Sequence, residues 1–239
     1  MRVVPVKRKW PLAILTIIVL LVLLSTGQAG LFVPVQAVDQ SGAIRSGSPA
    51  RPLVALMFNV DWGSEYIPGI LDVLEAAGAR STFFVTGTWA QKNQELLREM
   101  HRRGHEIANH GYRHAHVKNM NPSDIEKLIM DHDSLVRALV GAQPAPLFAP
   151  PYGECDSTIV RAAASVGYKT ILWTVDTVDW KRPAPDVIVK RAERAGSGAL
   201  VLMHPTEPTL RALPEVLKKL AARGLRATTV TEVLGPALR

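Results

Sequence analysis

Eight residues, LVALMFNV at positions 53–60, are apolar except for one asparagine near the end. A run of that length and character predicts a buried strand, and a buried strand needs other elements to cover it. The chain supplies them. Further apolar strand candidates are Ser81–Val85, Glu106–Ala108, Leu147–Ala149, Lys169–Leu172, Ala199–Met203 and Arg226–Thr229. Helical periods lie between them, through Ile67, Ile70, Leu71 and Leu74, and again through Leu213, Val216, Leu217 and Leu220. The clearest passes through Ile125, Leu128, Ile129, His132, Leu135, Val136 and Leu139. Strands alternating with helices over roughly 190 residues predict an α/β domain built on a parallel sheet or a barrel. No internal repeat is visible. In such folds function collects at the carboxyl ends of strands.

The flanks read differently. Arg2, Lys7, Arg8 and Lys9 precede the apolar stretch PLAILTIIVLLVLL, and the small residues of STGQAG follow, with Gly27 and Ala29 at cleavage-like positions. Residues 1–36 therefore read as a signal peptide or an N-terminal membrane anchor, which places the remainder outside the cytoplasmic membrane, secreted or anchored. Residues 37–51, AVDQSGAIRSGSPAR, are small and polar and read as a linker, so the domain spans 52–239. Those four basic residues also account for much of the net charge of +7; without them 24 basic residues face 21 acidic ones. No basic run interleaved with aromatics remains, so the composition predicts no nucleic-acid partner. The single cysteine, Cys155, excludes an internal disulfide.

Polar residues cluster where the apolar runs stop. The first run delivers Asn59 and Asp61, two residues apart and therefore on one side of the strand. His105-Glu106 resembles the start of a zincin HExxH motif, but Asn109 stands where the second histidine belongs. His110 and His114, four residues apart, could share one divalent metal with Asp61 and leave positions open for water and substrate. Pro150-Pro151 stiffens the loop around Tyr152 and Gly153, whose backbone could present an N–H to an oxyanion. Asp176, Asp179 and Trp180 follow another apolar strand, and His204 ends ALVLM with an aspartate pair available to orient it.

Taken in order, Asp61, the HxxxH at 110–114, PPYG, DTVDW and LMH resemble the polysaccharide deacetylases of the NodB-homology type, carbohydrate esterase family 4, over roughly residues 52–234. TVDTVDWKRP and LMHPT are most similar to the sporulation-associated branch. The resemblance implies a distorted, incomplete (β/α) barrel. It implies a metal held by Asp61, His110 and His114, usually Zn²⁺, with Co²⁺ or Mn²⁺ as alternatives. It assigns His204 as general acid, Tyr152 as the source of an oxyanion N–H, and Asp179 to the catalytic set. Trp180, Leu202 and Pro151 fall at substrate-binding positions. The implied reaction removes acetyl from an N-acetylated amino sugar of peptidoglycan or a chitin-like glycan, with the membrane as a second partner through the N-terminal segment.

Two positions depart from that pattern. Family members carry an aspartate base where this chain has Asn59, which cannot take a proton from water near neutral pH. They also carry an arginine, paired to that base and to an aspartate of the fourth motif, where this chain has Ala149. Losing one charge of a buried pair strands the other, whereas losing both avoids that cost. Two readings follow: a deacetylase with a different base, for which Glu65, Glu154 and Asp156 are candidates, or a pseudoenzyme that keeps the cleft and binds glycan.

Overall fold

The computed structural model describes residues 37–235. Its strands are β1 (Ala37–Val38), β2 (Ile44–Ser46), β3 (Leu53–Val60), β4 (Thr82–Val85), β5 (Glu106–Asn109), β6 (Leu147–Phe148), β7 (Lys169–Thr170), β8 (Val175–Asp176), β9 (Leu200–Met203) and β10 (Arg226–Thr228). The last eight form one sheet in the order β7-β6-β5-β4-β3-β9-β8, with β10 beside the start of β3. Every pairing in it is parallel. The sheet curls into a half-barrel, the α/β architecture expected from the alternating pattern.

β3 is buried at all eight positions, which is why its sequence is continuous rather than alternating. Val54, Leu56, Phe58 and Val60 face a layer of helices that includes Ile67–Ala76 and Glu207–Ala222. Ala55 and Met57 point the other way, into a smaller interior core with Phe84, Ala108, Leu147, Ala149, Ile171 and Leu200. The long helix Pro122–Val140 follows its predicted period, with Ile125, Leu128, Ile129, His132 and Val136 buried. It begins at Asn121, whose side chain accepts from the Asp124 N–H, and stops at Gly141 in the left-handed region, φ 70°.

The segment 37–51 corrects the linker reading. It belongs to the same compact unit as the sheet. β1 and β2 pair as an antiparallel hairpin, and β2 then bridges Ile171 on one side and Ala199 on the other. Ile44 accepts from the Leu172 N–H at 2.8 Å, and the Gly47 N–H donates to Gly198 at 2.8 Å. Ile44 is buried in the interior core. The segment is rich in small residues because it is tightly enclosed: a Cβ on Gly47 would stand 2.4 Å from the Val233 carbonyl oxygen. The signal-or-anchor segment, residues 1–36, lies outside the described residues. Among those described, no helix is long and apolar enough to cross a membrane.

Gly198, opposite Gly47, has φ +81° and would place a Cβ 2.6 Å from the Gly47 carbonyl oxygen. Gly196, two residues away, has open space around it. Gly198→Ala should therefore destabilise the protein by roughly 2–4 kcal/mol, from backbone strain and overpacking together. Gly196→Ala should move stability by less than about 0.5 kcal/mol. Urea unfolding of the two variants measures both; equal midpoints would show that the strap is not tightly packed.

Candidate active site

The strand ends converge on a cavity of about 420 Å³. Eight predicted residues line it: Asn59, Asp61, His110, His114, Tyr152, Trp180, Leu202 and His204. The other two stand behind that wall. Asp179 is fully buried against His204, and Pro151 is buried beneath the Tyr152 turn. Trp62, Gly153, Trp173 and Asp176 complete the lining. Trp62 lies parallel to the His204 ring at 6.0 Å between centroids, and remains 39% exposed.

Around His204 the hydrogen bonds of the buried Asp179 are fully satisfied. Asp179 accepts three hydrogen bonds: from the His204 N–H at 2.7 Å, from the His204 ring at Nδ1 at 2.8 Å, and from the Thr209 hydroxyl at 2.7 Å. A carboxylate that engages Nδ1 fixes the tautomer and leaves Nε2 as the free ring nitrogen. Asp179→Asn keeps the volume but exchanges one acceptor oxygen for a donor. It should cost about 1–3 kcal/mol by leaving buried donors unpaired, read as a lower urea midpoint; an unchanged midpoint would remove Asp179 from its anchoring role.

The histidine wall is arranged by burial. His110 donates from Nδ1 to the Ala149 carbonyl at 2.7 Å. Burial, with His114 nearby, pushes its pKa down to about 3. Burial also lowers His114, against an opposing pull from the Asp61 carboxylate. Both imidazoles are thus neutral at neutral pH, the form that ligates a metal. Their ring centroids are 5.1 Å apart, and Asp61 accepts from the Thr86 hydroxyl at 2.7 Å. The donor chemistry suits a divalent ion. Among the described residues, however, no group of three or more His, Cys, Asp or Glu side chains is arranged to hold one.

Tyr152 adopts φ 59°, a left-handed conformation unusual for a residue with a side chain. Its ring is held between His116, stacked at 4.0 Å, and His114, edge-on at 4.3 Å. Gly153 follows because a Cβ there would meet the Trp173 ring at 2.5 Å. Glu154 is engaged by His116 and the Lys118 N–H, and Asp156 caps the helix Ser157–Ser165. Neither lines the cavity, and nor does Glu65; the carboxylates that do are Asp61 and Asp176.

At the base position Asn59 is 7% exposed, and its Oδ1 has no hydrogen-bond partner. Ala149 is 1% exposed on the same interior sheet face as Met57. Of the aspartate pair expected to orient His204, only Asp179 does so, and Asp176 lines the cavity instead; Trp62, next to Asp61, has no sequence signal of its own. Trp173 directly follows the predicted strand Lys169–Leu172, and its packing against Gly153 brings it to the cavity.

Residues 46–171 match the family model described as polysaccharide deacetylase. The chain is 35% identical over 196 residues to the uncharacterized protein YlxY of Bacillus subtilis, covering 82% of this chain and 61% of that protein. It is 33% identical to a peptidoglycan-N-acetylglucosamine deacetylase of Bacillus cereus, covering 76% of this chain and 88% of that one. Among solved structures, it superposes with a TM-score of 0.79 on a CE4 family pseudoenzyme from Bacillus anthracis, 35% identical, covering 82% of this chain and 70% of that chain. A mutant of that pseudoenzyme has restored enzymatic activity and superposes with a TM-score of 0.78, at 34% identity over 82% of this chain and 72% of that one. A half-barrel with these strand-end residues, matched over more than half its length, belongs to the polysaccharide deacetylase family.

Proposed function

We propose that this protein is an extracytoplasmic cell-wall protein that binds the N-acetylated glycan of peptidoglycan, of the wall or the spore, in a deacetylase cleft whose hydrolysis is impaired. The observation that carries this reading is the base position. Asn59 offers no carboxylate, and Ala149 offers no cation to orient one. The similar pseudoenzyme supports the reading, as do the relatives named as peptidoglycan deacetylases. The basic and apolar N-terminus supports export.

The remaining residues keep a deacetylase's division of labour. Trp180 and Leu202 enclose the acetyl methyl. The Tyr152 N–H and the carbonyl-polarising side of the cavity face the developing oxyanion. His204, oriented by Asp179 through Nδ1, leaves Nε2 as the ring nitrogen that would pass a proton to the departing amine. Asp61, His110 and His114 have the donor chemistry for a divalent ion, Zn²⁺ by preference, and would have to draw together around it; once bound, it would supply Lewis-acid polarisation of the acetyl carbonyl. Incubated with Zn²⁺ at neutral pH, the protein should retain about one ion per chain, and His110→Ala should retain none. Elemental analysis after desalting decides it, and a metal-free native protein would refute the assignment.

A second reading has one observation in its favour. Asp176 lines the same cavity, and its Oδ1 accepts from the Val178 N–H at 2.7 Å. Its other oxygen has no partner among the described residues, so Asp176 could take the base role in an active deacetylase. With Asp179 committed to His204, Asp176 is also the carboxylate that an arginine at 149 would meet. Asn59→Asp alone introduces a carboxylate without its cation; adding Ala149→Arg restores an ionised, oriented base. General-base assistance is worth about 10²–10⁴-fold, so the double variant should release acetate from N-acetylated glycan at least about tenfold faster than the native protein and either single variant. A native protein that already releases acetate rapidly, with the double variant no faster, would establish the active reading instead.

A further inference from the structure

Asn59 is more than an absent carboxylate. It sits on the interior face at the end of β3 and lines the cavity, yet its side chain is more than nine-tenths buried. Its Oδ1 is buried without a partner, and its Nδ2 forms no hydrogen bond among the described residues. Three other polar groups around the cavity each have a partner: Asp61 with Thr86, His110 with Ala149, His204 with Asp179. The buried, unpaired Oδ1 costs stability, whereas Nδ2 is the end of the amide left open to the cavity. Leucine or methionine would fill the same space without that cost, whereas the amide turns toward the cavity a donor with no partner among the described residues, one that only a ligand's acceptor can meet there.

We propose that Asn59 is a recognition group for the acetamido substituent, its Nδ2–H donating to the acetyl carbonyl oxygen. This rests on the glycan-binding reading and sharpens it: the site selects the N-acetylated sugar and holds it. The chemistry is specific. A carbonyl oxygen has two lone pairs and can accept from Asn59 while also facing the Tyr152 N–H. A de-N-acetylated sugar presents an ammonium, which has no acceptor to offer Nδ2 and leaves the carboxamide unpaired. Asn59 is neutral at every accessible pH, so it needs no cation beside it, in keeping with alanine at 149. Trp62, exposed beside His204 at the rim, gives the sugar ring an apolar face to rest on.

The test compares the native protein with Asn59→Leu. Calorimetric titration uses a fully N-acetylated glucosamine hexamer and its fully de-N-acetylated counterpart, and thermal unfolding is recorded without ligand. The native protein should prefer the acetylated hexamer. Asn59→Leu should lose roughly five- to tenfold of that preference, the worth of one neutral hydrogen bond. Its Tm should rise by about 2–5 °C, because a buried unpaired group has been removed. Comparing the ratio of the two affinities between variant and native cancels the general effect of the ammonium charges. If Leu overpacks the floor and unfolds the protein, Asn59→Ala gives the same affinity readout without added volume. A variant that keeps the full preference overturns the inference alone, as does a native protein that binds both hexamers equally. A native protein that binds neither overturns the glycan-binding reading, and the inference with it.

Discussion

Everything in this fold is placed with respect to β3, an eight-residue strand buried on both faces and hydrogen-bonded on both sides. Its outer residues anchor the helical layer and its inner ones fill the half-barrel. Because its neighbours are parallel, their functional ends arrive at one rim. Register with β9 aligns Phe58 with Met203, so the residues that follow, Asn59 and His204, emerge together. Register with β4 brings Thr86 to Asp61, and register of β4 with β5 sets His110 one step beyond Asn109. A slip of one residue in β3 would turn Asn59 away from the cavity and disperse the site.

Much of this was legible because the long elements announce themselves. An apolar run that ends abruptly in a polar residue marks both a strand and its functional end, and Asn59, Asp61, His110 and His204 were all found that way. The helix through Ile125 and Val136 was legible from its period. What escaped had no period to show. β8 has two residues and β2 three, too short for alternation to appear. The strap was misread as a linker because glycine and serine serve two opposite ends, chain freedom and close packing, and composition does not distinguish them. Gly47 and Gly198 are there because backbone lies against backbone. Trp173 directly follows a predicted strand, but its place at the cavity follows from the turn at Gly153.

The two sides of the cleft are unequal in a physical sense. On the His204 side, Asp179 is saturated by His204 and Thr209, and a saturated buried carboxylate is rigid and hard to replace. On the opposite side, Asn59 presents an amide and Ala149 a methyl group, and Asp176 has an oxygen without a partner among the described residues. Such a division suits a site that recognises and positions an acyl group more than one that turns it over.

The hairpin at the start of the domain has a mechanical consequence. β2 joins Ile171 to Ala199, and so reaches both flanks of the half-barrel at once. A pull applied through residue 37 would first peel β1 from β2, where Ala37 faces Ser46 and Val38 faces Ile44. It would next load the bond from Leu172 to Ile44, beside the cavity-lining Trp173, and the bond from Gly47 to Gly198, ahead of the start of β9. The hairpin acts as a fuse: tension is spent on a short ladder before it can strain the strand ends that carry Asn59, His110 and His204.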